Sequence, residues 1–143
     1  AAPIQQFRDH LGEAADGFVG PSQWEASGSH RTDYGPSSAE VMASLRGKGH
    51  RTVDYPMVQA YAAGLVAQRC IEEAGTLEDS ALREVAERLD FSTFYGRFKI
   101  DPVTGAQLGR STVLVQWQQG RKVIVGPSDQ RQAPMVYPWR NHQ

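Results

Sequence analysis

Residues 94–127, FYGRFKIDPVTGAQLGRSTVLVQWQQGRKVIVGP, decide the fold class. Phe94, Phe98 and Ile100 alternate with Tyr95, Arg97 and Lys99; Val113, Val115 and Trp117 alternate with Leu114, Gln116 and Gln118. A period of two is the signature of strands. Between the two runs, DPVTG is a turn by composition. Gln119-Gly120 predicts a two-residue hairpin, because Gly supplies the positive φ such a turn needs. KVIV returns, and Gly126-Pro127 closes the stretch. It contains no His, no Cys and one carboxylate, Asp101. A well-specified sheet without reactive groups raises the question of what it supports.

Working upstream, the period changes to that of helices. LEDSALREVAERL places Leu82, Val85 and Leu89 on one face. DYPMVQAYAAGLVAQRCIEEAG has Asp54 as an N-cap, Pro56 in the first turn and Gly75 as the stop. From Met57 to Ala67 this helix is apolar on nearly every side, which predicts burial. Ser37 or Ser38 caps a helix to about Arg46, with Val41, Met42 and Leu45 on one face. Residues 20–37 are rich in Gly, Ser and Pro and read as a long loop, yet they carry Trp24 and Tyr34. Loops of that length in compact domains have a function or move. ADGFVG reads as a short buried strand cut off by Gly20-Pro21. Ile4, Phe7 and Leu11 mark an amphipathic helix ending at Gly12.

The bulk numbers exclude several classes. At 143 residues the chain suits one core. A formal net charge of −1 gives no electrostatic case for nucleic acid or an anionic membrane. No apolar run approaches the roughly 20 residues of a membrane span. The start, AAPIQQFRDH, lacks the pattern of a signal peptide, so a signal sequence is expected to be absent from this chain. Cys70 is the single cysteine; it sits in an apolar helical stretch and reads as core.

Reactive constellations are sparse. His10, His30, His50 and His142 form no HxxxH or HxH pair, so no local metal site is expected. GRSTV lacks the second Gly of a nucleophile elbow around Ser111. Glu72-Glu73 and Glu78-Asp79 read as solvated helix acids. No cofactor fingerprint is present. What remains is a binding inventory: Asp16 beside Gly17 at a strand start, Trp24 on the long loop, and Tyr55 at a helix start. Each has a plainer reading. Asp16 caps a turn, Trp24 plugs the loop, Tyr55 packs.

The order of these pieces resembles the C-terminal part of the type I periplasmic solute-binding proteins, in particular the branched-chain amino acid (Leu/Ile/Val) receptors of ABC-type importers. The resemblance rests on AADGFVG, YAAGLVAQRCIEEAGTL, FYGRFKIDPVTGAQLG, and VLVQWQQGRKVIVGP with the closing YPWR. It spans residues 11–139. It implies an α/β fold with Rossmann-like lobes and interlobe crossing strands: a crossing strand at about 14–20, a helical part at about 37–90, a terminal β segment at about 91–127 and an extended tail over 128–143. It implies a non-enzymatic receptor that holds a small polar solute such as an amino acid between two lobes. Asp16 with Gly17 would meet the solute's ammonium, although amino-acid-binding relatives often carry Glu there. Trp24, Tyr55 and Met57 would face the same cleft. The implied partners are the solute, an ABC permease, and a missing N-terminal lobe or a second copy. The implied location is periplasmic or extracellular, lipid-anchored or secreted. The alternatives are a ligand-sensing domain of the same fold, an enzyme with its site elsewhere in a longer chain, and an inactive structural fragment.

Overall fold

The computed structural model describes residues 2–28 and 31–139. Helix outweighs strand, 38% to 18%, and the class is mixed α/β. In chain order the elements are α1 (Gln5–Leu11), a 3-10 turn (Gly12–Ala15), β1 (Val19–Ser22), α2 (Ser38–Gly47), α3 (Tyr55–Ala74), α4 (Asp79–Arg88), β2 (Phe91–Thr93), β3 (Gly96–Phe98), β4 (Val113–Gln118) and β5 (Arg121–Gly126). Every strand pairing among the described residues is antiparallel. The backbone divides into two compact units. One comprises Ala1–Ser29 with Thr112–Gln143, the other His30–Ser111.

The first unit is built on a three-stranded sheet of order β1-β4-β5. Gln119 and Gly120 both take positive φ, 50° and 75°, so the β4–β5 turn is the two-residue hairpin that the sequence predicts. The inward side of β4 carries Val113, Val115 and Trp117, all buried, with Ile124 of β5 beside them. The Trp117 indole N–H donates to the Ala2 carbonyl at 2.7 Å, which ties the chain's start to the sheet.

β1 differs from expectation in three ways. Ala14 and Ala15 belong to the 3-10 turn, and the strand runs from Val19 to Ser22 rather than from about residue 14 to 20. The cause is Gly17: its φ of +88° turns the backbone and delays the extended run. Gly20-Pro21 does not end the strand but lies inside it, opposite Val115 and Leu114. Pro21 fits there because β1 is an edge strand, where a missing N–H breaks no ladder bond. Nor is the segment buried: Phe18 is 50% and Val19 39% exposed.

The second unit packs three helices around a β2–β3 hairpin. Ser37 caps α2 in a full capping box with Glu40. Asp54 stands at the N-cap of α3 by backbone conformation without a side-chain capping bond. Gly75 closes that helix in the left-handed conformation, its N–H donating to the Ile71 carbonyl. α3 is not buried all round. Val58, Ala62, Leu65 and Cys70 face inward, while Ala60, Ala63, Gly64 and Ala67 are exposed. Cys70 joins Val85, Leu89 and Phe91 in the core, with Tyr34, Leu82 and Phe98 packed against them. Phe94 and Tyr95, read as strand residues, form the two-residue turn of the hairpin. Both are buried, because the Phe94 ring meets Tyr61 of α3 edge-on at 5.8 Å.

Candidate functional site

Three of the five predicted site residues lie in the first unit. Asp16 follows the 3-10 turn and directs its carboxylate into the hairpin. The Gly120 N–H donates to its two oxygens at 3.1 and 3.3 Å, and an Arg8 guanidinium nitrogen lies 3.7 Å away. The Asp16 and Arg8 side chains are only 12% and 18% exposed. A carboxylate removed from water must be paired, and this one is paired within its own unit. The turn-capping role is therefore the one the geometry describes, with a turn 104 residues away as its object.

Gly17 keeps a close approach open, but its neighbour is the chain itself. A Cβ on Gly17 would stand 2.5 Å from the Trp139 ring. The Gly17 N–H donates to the Trp117 carbonyl at 2.8 Å. Its carbonyl accepts from the Gln116 side chain at 3.1 Å. Trp24 is 3% exposed and so presents almost no surface to a solute. Its carbonyl accepts a bond from the buried Ser22 hydroxyl at 3.0 Å. Beside it, Glu25 meets Lys122 at 3.1 Å in a pair shielded from solvent.

Gln116, which the alternation of β4 alone does not single out, is the polar hub of this unit. It sits on the outward side of β4 yet is 1% exposed. Its amide nitrogen donates to the carbonyls of Gly17 and Val136. Its oxygen accepts from the Val136 N–H at 2.9 Å and from Gln118 at 2.7 Å. Gln118 in turn donates to the Pro134 carbonyl at 2.9 Å. A buried amide that uses both ends is well satisfied and fixes what it touches. Alternation sets Gln116 on the side opposite Val115 and Trp117, and there the tail covers it.

Tyr55 and Met57 lie in the second unit, at the first turn of α3, and both are half-buried. Nearby, Arg110 stands over the Tyr95 ring at 4.0 Å. Burial pushes the Tyr95 hydroxyl up, Tyr55 adds to that rise, and the Arg110 bond opposes it. A cavity of about 150 Å³ runs between α3 and the hairpin, lined by Gln59, Ala62, Val66, Tyr95 and Arg110. Ordinary small-molecule pockets hold roughly 300–1,000 Å³. At about 150 Å³ this space is half the lower end of that range. The long loop that precedes α2 is pinned within this unit too. Tyr34 donates to Glu72 at 2.7 Å, lies under Arg69 and meets Phe91 edge-on, and the N–H groups of Asp33 and Tyr34 share the Ser92 carbonyl.

His10 and His50 are exposed; His30 and His142 lie outside the described residues. Among the described residues no three His, Cys, Asp or Glu side chains gather as a metal cluster, and no helix is long and apolar enough to cross a membrane. A comparison with protein-family models finds no family that matches this chain.

Proposed function

We propose that this chain is the C-terminal portion of a type I solute-binding protein, a receptor component of an ABC-type importer for an amino acid or a related small polar molecule. One observation carries the reading beyond the sequence resemblance. The first unit is assembled from both ends of the chain and the second from its middle, so the backbone passes from one to the other twice. A double passage between two compact units is in keeping with a receptor whose lobes are joined by more than one segment. The absence of reactive groups from the hairpin is in keeping with a supporting role.

On this reading Asp16 orders the hairpin, and Tyr55 and Met57 are the solute-facing candidates that keep exposed surface. An N-terminal lobe and a permease are the implied partners. The exposed small-residue face of α3 gives that lobe somewhere to pack. The test is native mass spectrometry of the full-length protein for a co-purifying small molecule, followed by calorimetry with the protein amino acids, simple amides and urea. A saturable 1:1 heat with one class supports the receptor. A folded full-length protein that gives no heat with any of them at about 1 mM, where even a 4 kcal/mol interaction half-saturates, removes it.

A further inference from the structure

Residues 132–139, QAPMVYPW, lie across the outward face of the β1–β4–β5 sheet, but their attachment is of an unusual kind. Only the first two residues use main-chain bonds to a strand: the N–H groups of Gln132 and Ala133 both reach the Ile124 carbonyl, at 2.8 and 3.3 Å, and the Gln132 side chain accepts from the Ile124 N–H and the Ser27 hydroxyl and donates to the Ser27 carbonyl. Beyond them the backbone is held by two glutamine side chains. Gln118 takes the Pro134 carbonyl, and Gln116 takes both the N–H and the carbonyl of Val136. The segment ends with the Trp139 ring on Gly17, in space that any Cβ would fill. Little apolar surface is sealed in return. None of the eight residues is buried; Met135 is 48%, Val136 41% and Tyr137 91% exposed. A segment with few buried contacts opens at a small fraction of the global unfolding free energy.

We propose that residues 132–139 are a detachable strap, and that the surface beneath it is a docking site for an extended, proline-containing peptide segment. Gly17, Gln116 and Gln118 form this surface. The site recognises main-chain groups through two amides and takes one aromatic ring against a glycine. Its occupant here is the chain's own tail. Release bares Gly17 and both glutamines, so the strap controls access to that face. Any effect on solute binding rests on the receptor reading, whereas detachment itself does not.

Nuclear magnetic resonance of the whole chain tests this. The Val136 amide should exchange with solvent at least about 100-fold faster than the Val115 amide inside the sheet. In Trp139→Ala the Gly17 backbone amide and the Gln116 side-chain amide should shift. Synthetic QAPMVYPW at about 1 mM, the scale of a tethered segment's effective concentration, should return them saturably to the wild-type positions. The same peptide with Ala in place of Trp should not. Val136 protection equal to that of Val115 overturns the detachment. A peptide that leaves both resonances unmoved overturns the docking site.

Discussion

Replacing Asp16 by Ala separates the two roles a carboxylate at that position can have. As a hairpin tether it accepts the Gly120 N–H, a charge-assisted bond worth about 1.5–3 kcal/mol. Its loss also leaves Arg8, 18% exposed, beside no carboxylate at that point. An uncompensated, largely buried charge is costly, although a long side chain recovers part of that cost by turning toward water. Together these give an expected loss of about 2–4 kcal/mol. Asp16→Asn keeps an acceptor oxygen but not the charge, and should lose about half as much.

The assay is urea unfolding followed by tryptophan fluorescence. All three tryptophans, Trp24, Trp117 and Trp139, belong to the unit that contains Asp16, so the signal reports that unit alone. With a slope of about 1.5 kcal/mol/M for a small unit, the Ala variant's midpoint should fall by about 1–3 M at unchanged slope. An unchanged midpoint refutes the tether. If solute affinity of the full-length protein then falls at least tenfold, the carboxylate serves a ligand's ammonium after all.

Three further outcomes follow from the same structure. Leu65→Ala, on the inward face of α3 at 8% exposure, should destabilise the second unit by about 2–5 kcal/mol, read by far-UV circular dichroism. Gly17→Ala combines a φ of +88° with the Trp139 contact; it should cost about 1–3 kcal/mol and move the Trp139 fluorescence toward that of a solvated indole. Asp90 accepts a two-pronged bond from Arg97 and a further bond from Lys99, which hold its carboxyl down at about 2, below its ordinary 3.8. Because the folded-state value is lowered, the stabilisation is complete above about pH 4 and is lost as pH falls toward 2. In Asp90→Asn the acid-unfolding curve should lose that part of its slope, and an unchanged curve removes the Asp90 contribution.

How far the sequence could be read depends on whether a feature's cause was local. The β4–β5 hairpin was legible because Gln119-Gly120 specifies its own geometry. The start of α2 and the end of α3 were legible because a capping serine, Ser37 or Ser38, and Gly75 act within one helical turn; the part played by Glu40 emerges only in the structure. Misreadings arose where a distant segment decides. Phe94 and Tyr95 fit a strand by period, yet they turn, because α3 offers Phe94 an edge-on partner in Tyr61. Gln116 lies on the side opposite Val115 and Trp117, yet it too is buried, because residues 134–136 return across it. The candidate site divides in the same way. Asp16 and Gly17 were recognised as unusual from two adjacent letters, acid then glycine at a strand start. Their partners, Gly120 and Trp139, stand more than a hundred residues away. An acid beside a glycine announces that something approaches closely. It does not say whether that is a ligand or the chain's own far end. For Gly17 the indole of Trp139 already occupies the approach, so a ligand reaches that glycine only when the strap has left it.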